Sequence, residues 1–193
     1  MTLLAILLAA TVSGAKADTL MLDPAASVVH WKGTKFWGLG KHEGDVRLSS
    51  GYVVLGDRGV SGTFVVDMRT IEVTDIPADE PVPRNRLRNH LMNADFFDVA
   101  RFPTASFDVR SAESTDAGFR LGGNLTMRGV TRPIALDAEI QRSVGGIVRA
   151  TSTFRINRHQ WGVSFRGSRL TNDLVDDDIL LTLDLILMPR GRS

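Results

Sequence analysis

The chain has 193 residues, 43 % of them apolar and 23 % charged, with 23 basic side chains, 22 acidic ones and no cysteine. This length suits one domain with a full hydrophobic core and is short for two. The composition argues against global disorder, and no Lys/Arg stripe offers the surface that sequence-independent nucleic-acid binding needs. Without cysteine there is no disulfide framework, no thiolate metal site and no lipid-bearing Cys at a cleavage point.

In chain order, the first element is a targeting signal. Residues 3–12 are apolar and uncharged, and Ala15-Lys16-Ala17, an A-x-A pattern, precedes Asp18. The pattern predicts a secretory signal peptide over residues 1–17, cleaved after about Ala17, with one exported domain over residues 18–193. No basic residue precedes the apolar run, so a misassigned start at Met1 and a membrane-anchoring segment stand as alternatives. The run is short for a span, which needs roughly 20 apolar residues. Cleavage removes Lys16 and no acid, leaving 22 basic and 22 acidic residues and a formal charge of zero. Export predicts a periplasmic protein without a stable membrane anchor, and the balanced charge leaves a homodimer open.

From there the chain alternates with period two, the signature of half-buried strands. Val29 and Trp31 share a face, as do Val46 and Leu48. Val60, Gly62, Phe64, Val66 and Met68 form a longer face, with Ser61, Thr63, Asp67 and Arg69 opposite. Faces follow at Ala105, Phe107 and Val109; at Phe119, Leu121, Gly123, Leu125 and Met127; at Ile134, Leu136, Ala138 and Ile140; at Phe154 and Ile156; and at Ile179 through Leu187. Turns such as Gly56-Asp57-Arg58-Gly59 and Val144-Gly145-Gly146 separate them. The count is about eight strands with no βαβ rhythm, which predicts an all-β sandwich or barrel. One segment interrupts it. Pro81-Val82-Pro83 leads into residues 84–92, where Leu87 and Leu91 stand at i, i+4, predicting a short helix with Pro83 in its first turn. A second short helix or loop is expected over residues 169–177. Gly62 and Gly123 replace side chains on apolar faces and are expected to make room or allow coiling.

Several ordered blocks carry a family likeness. His90-Leu91-Met92-Asn93-Ala94-Asp95-Phe96-Phe97-Asp98, with Phe102-Pro103-Thr104-Ala105-Ser106-Phe107, forms one. Gly123 to Pro133, reading GNLTMRGVTRP, forms a second, and Arg158, Trp161, Gly162 and Val163 a third. Together they resemble the YceI family over nearly all of the mature chain. The resemblance implies a lipocalin-like, up-and-down antiparallel β-barrel with a helical insertion. It also implies that the barrel holds a polyisoprenoid chain, of quinone or prenyl-phosphate type, in a protein that is exported and not an enzyme. A barrel of about eight strands is just wide enough to be filled by side chains or to hold one small ligand. A tail moved into it gains about 0.8 kcal/mol per buried CH₂.

On that footing the expected cavity residues are Trp31, Phe64, Val66, Met68, Leu91, Phe96, Phe107, Leu125, Phe154 and Trp161, each of which also serves as ordinary core in the bland reading. Arg84, Arg86 and Arg88 on the helical insertion are candidates for an anionic headgroup, since Arg suits phosphate; their bland reading is a solvated helix face. Residues 31–44 depart from the commonest family pattern, with Phe36 and Trp37 adding aromatic bulk, and Gln160 stands where an acid or amide is expected. His30, His42, His90 and His159 show no zinc-ligand spacing, and His90 is expected at a helix end or in a hydrogen bond. Asp176-Asp177-Asp178 lacks the Gly and distal Glu of an EF-hand and reads as a solvated turn. No catalytic motif, metal or cofactor is indicated. A fully packed structural or interaction barrel and, further off, a lipid-modifying enzyme are the alternatives.

Overall fold

The computed structural model describes residues 18–35, 37–57, 59–165 and 175–190. The signal segment, Phe36, Arg58 and residues 169–174 of the expected second helix or loop lie outside them. The alternating segments form β1 (Asp18–Leu22), β2 (Val28–Lys35), β3 (Gly40–Gly56), β4 (Gly59–Val73), β5 (Thr104–Thr115), β6 (Gly118–Met127), β7 (Val130–Arg142), β8 (Val148–Asn157) and β9 (Val175–Pro189). From β2 onward each strand pairs antiparallel with the next, and β9 pairs back with β2. Eight strands thus close into an up-and-down barrel, as expected, and closure removes the exposed edge that an open sheet leaves. Val175, Asp176 and Asp177 open β9, so the acidic triplet is strand and not a solvated turn.

The ninth strand, β1, is absent from the periodicity reading. It shares one stave with β2. Residues 18–21 pair with 52–55 of β3 and residues 20–22 with 187–189 of β9, while β2 pairs with the other ends of the same two strands. The chain crosses between them in a turn whose Asp23 Oδ1 accepts the N–H groups of Ala25 and Ala26 at 3.0 and 3.2 Å. Ile186 of β9 faces this gap. Its N–H donates to Ser27 Oγ at 2.9 Å, and its carbonyl accepts from the Asp23 N–H at 2.8 Å. Ser27 is fully buried. Ser27→Ala strands that amide without water, so it should cost about 2 kcal/mol. A lower urea midpoint would show this; an unchanged midpoint would mean that the gap is wet.

The seam between β7 and β8 is the weak one. Its ladder runs only from Glu139–Thr151 to Arg142–Val148. Past it, Ser152 Oγ donates to the Asp137 carbonyl at 2.6 Å. The 3-10 turn at Arg158–Trp161 packs against the start of β7, where Arg132 donates to the Gln160 carbonyl at 3.4 Å, and Trp161 Nε1 donates to the Leu125 carbonyl of β6 at 3.0 Å.

Between β4 and β5 lies α1 (Pro81–Met92), with prolines in its first turn, where a missing N–H costs nothing. Asn93 ends it. The Asn93 carbonyl accepts from Phe96 and Asp98 N–H, and its side chain accepts from Asp95 N–H. Phe97 and Val99 N–H then return to the Leu91 and Met92 carbonyls at 3.1 and 2.9 Å. The block from His90 to Asp98 is therefore a helix end folded back on itself, and the fold-back buries Phe96 and Val99.

Candidate functional site: an apolar cavity at the helix end of the barrel

The barrel is solid at one end and hollow at the other. Leu20, Leu22, Val148 and Leu187 pack the β1 end. Toward α1, inward residues of β2 to β9 and of the helix surround a cavity of about 220 Å³. Its lining follows β9 from Val175 to Leu185. Those eleven residues span about 34 Å of strand, or roughly 25 Å along the axis at a tilt near 40°. The shape is long and narrow, and the wall is almost wholly apolar. A barrel packed solid throughout is not what this chain forms.

Glycines keep the lumen open. Trp31 lies across Gly44, Phe64 across Gly51 and Phe107 across Gly123; a Cβ at each glycine would come within 2.5–2.8 Å of the ring. Each ring therefore lies back against the wall instead of crossing the lumen. A Cβ at Gly62 would meet the Tyr52 carbonyl and no ring, so Gly62 serves close strand approach; Gly44 and Gly123 serve it as well, since a Cβ there would also meet the Glu72 and Asp108 carbonyls.

Nine of the ten expected residues line the cavity: Trp31, Phe64, Val66, Met68, Leu91, Phe96, Phe107, Leu125 and Phe154. Trp161 does not. Its 3-10 turn carries the indole into the wall, 1 % exposed and locked to the Leu125 carbonyl.

The arginine expectation fails on geometry. Arg88 donates from Nε to the Ile71 carbonyl at 2.8 Å and from Nη2 to the Arg69 carbonyl at 3.1 Å. Arg84 and Arg88 both reach Glu72, at 3.6 and 3.5 Å, and Arg86 is exposed. Arg84 and Arg88 tie α1 to β4, and none of the three arginines lines the cavity. Arg88→Ala should cost about 1–2 kcal/mol through the lost charged hydrogen bonds, whereas Arg86→Ala should stay within about 0.5 kcal/mol. Neither should change ligand affinity, which calorimetry would check.

The polar lining gathers at the α1 end, at Thr34, Lys35, His42, His90, Arg158 and Asp176. Asp176 accepts from Thr34 Oγ1 at 2.6 Å and from the N–H groups of Trp37 and Gly38 at 3.1 and 3.2 Å. His42 Nδ1 meets Asp75 at 2.9 Å, and His159 meets Asp177 at 2.6 Å. His90 is at the helix end, as expected, and its ring packs edge-on against Phe165 and Phe96 at 4.5 and 5.8 Å. Arg158 is fully buried and donates to the carbonyls of Val163, Asp176 and Val175 at 2.8, 3.0 and 3.3 Å. Its guanidinium lies over Phe96, 5.8 Å from the ring centre. Arg128 donates to the Gly162 and Ala94 carbonyls and so staples the turn after β8 to the fold-back after α1. Sequence reasoning missed Arg158 and Arg128 as site builders, because their partners are backbone carbonyls far along the chain.

Two carboxyls with a lowered pKa, Asp67 and Asp184, stand on the outer surface, away from this site. Arg69 hydrogen-bonds Asp67 and Arg149 hydrogen-bonds Asp184, each favouring the charged carboxylate.

Residues 20–187 match the family described as YceI-like domain, most of the chain. The chain belongs to the YceI family. Protein YceI of Salmonella arizonae and of Salmonella newport are each 41 % identical over 51 residues, 26 % of this chain. The matched stretch spans 27 % of those relatives. Among solved structures, Burkholderia cenocepacia BcnA aligns with a TM-score of 0.69 at 16 % identity, covering 86 % of this chain and 98 % of that one. A polyisoprenoid binding domain from Saccharophagus degradans, implicated in plant cell wall breakdown, aligns at 0.64 and 15 % identity, covering 91 % and 100 %. At these identities the structural likeness speaks for the fold. In this YceI protein the family blocks mostly build the α1 end of the barrel: the folded-back helix end, the Arg128 staple and the Arg158 clamp.

Proposed function

We propose that this YceI protein binds a polyisoprenoid or related apolar lipid, of quinone or prenyl-phosphate type, inside its barrel, and carries or sequesters it in the periplasm. The observation that carries this reading is the long apolar cavity, held open by rings laid across glycines. An empty apolar lumen forfeits packing, and a prenyl tail would recover about 0.8 kcal/mol for each CH₂ it buries there. The charged and imidazole side chains of the lining stand at the α1 end, so the tail would point toward the β1 end and the head toward Lys35 and His42. The described polyisoprenoid binding by the Saccharophagus degradans domain supports the ligand class. The A-x-A site supports export, and no helix among the described residues is long and apolar enough to cross a membrane. The reading assigns binding and no chemical step.

The test is solvent extraction of protein purified from cells with quinone-containing membranes, followed by mass spectrometry. A prenyl lipid at near one per chain is expected. Repeated absence of any apolar molecule, together with no uptake of added quinone, overturns it. Cell fractionation tests the compartment.

A further inference from the structure

We infer that the β2–β3 hairpin tip is a membrane-docking element that sets the α1 end of the barrel against a lipid bilayer surface. This deepens the proposed function, on which it rests for its purpose, by naming where the ligand is picked up.

The tip is built at a cost. Trp37 has φ +55° and Gly38 φ +89°, and two successive left-handed residues form a turn that suits Asn-Gly or Gly-Gly. A tryptophan there is strained. Among the described residues two other non-glycine positions share such a φ, Asp98 and Arg128. Aspartate tolerates it, and the Arg128 side chain is held by two carbonyls. Among the described residues the Trp37 side chain has no such reason, since it is 78 % exposed and Leu39 beside it is 89 % exposed. The conformation is enforced from β9, where Asp176 takes both tip N–H groups. A strained, over-determined residue that holds a large apolar ring in water points to an external partner.

Position and charge choose the bilayer. The same Asp176 and Lys35 line the cavity, so the tip stands at its polar end. Of the carboxylates near the tip, Asp176 is engaged by Thr34 and two N–H groups, Asp177 by His159 at 2.6 Å and Glu43 by Lys41 at 3.0 Å, while Asp178 stands exposed on β9. The Lys35 stem lies over Gly40, and among the described residues its ammonium meets no carboxylate. An exposed Trp and Leu beside an unneutralised Lys fit the bilayer boundary, where aromatic rings sit at headgroup level and cations meet lipid phosphate.

Flotation of the full mature chain with vesicles of phosphatidylcholine alone, and with phosphatidylglycerol added, tests this. The parent should float and its tryptophan emission shift to the blue. Trp37→Gly should bind about tenfold more weakly or worse and lose the shift, yet melt at or above the parent temperature, because glycine relaxes the turn. In flotation, Lys35→Gln should lose the affinity that phosphatidylglycerol adds and keep the binding to phosphatidylcholine vesicles. A parent that floats with neither composition, or a Trp37→Gly variant that floats like the parent, overturns the inference. A parent that takes up quinone from detergent but ignores vesicles defeats docking alone; one that floats but carries no lipid upholds docking and defeats the cavity reading.

Discussion

Ala105→Trp is expected to abolish lipid uptake while leaving the barrel folded. Ala105 pairs with Val66 on β4, is buried, and faces the cavity from β5. An indole there fills space that a prenyl chain would occupy. Displacing one isoprene unit, about five carbons, forfeits roughly 4 kcal/mol, about a thousandfold in Kd. The fold should tolerate the change because the ring enters empty lumen; overpacking of a filled core would cost about 1–3 kcal/mol. Leu125→Trp approaches the same lumen from β6 and serves if Ala105→Trp folds poorly. Calorimetric titration with a quinone, beside a thermal melt, reads both quantities. Parent-like affinity in both folded variants would place the ligand elsewhere.

Arg158→Met should be the most destabilising single change near the site. The guanidinium is fully buried and serves three carbonyls, on both flanks of the connection from the 3-10 turn to β9. Methionine retains much of the volume but none of the donors, leaving those carbonyls poorly satisfied. Removing one side of a buried charged hydrogen-bond set costs about 3–5 kcal/mol, or about 6–20 °C in a domain of this size. Arg158→Lys should recover little of this, since one ammonium cannot fork to three carbonyls. Melting within about 1 °C of the parent would mean that water replaces the guanidinium without loss.

The strand faces were legible because burial on one side of a sheet forces a period of two, which survives in any local window. Val60 to Met68 and the closing run from Ile179 to Leu187 show it most cleanly, and the strand faces yielded seven of the nine cavity residues, with Leu91 and Phe96 coming from the helix block. α1 was legible from Leu87, Leu91 and a proline start. β1 was not: five residues with only Leu20 and Leu22 inward make a weak signal, and the strand exists because β3 and β9 leave half a stave open. Arg84, Arg86 and Arg88 misled because composition shows their charge and not the β4 carbonyls and Glu72 that take up Arg84 and Arg88. Trp161 misled because a 3-10 turn, invisible to period-two reasoning, moved it from lumen to wall.

By itself, then, the sequence determined the inward strand faces and the helical insertion, which local pattern carries because each follows from neighbours a few residues apart. Periodicity left sandwich and barrel both open, and the antiparallel barrel followed from the family resemblance of the longer blocks. Tertiary structure alone decided that the lumen is hollow at one end. That outcome depends on rings lying across glycines of other strands, and on carbonyls 5–34 residues from the arginines that hold them. Such pairings have no local signature.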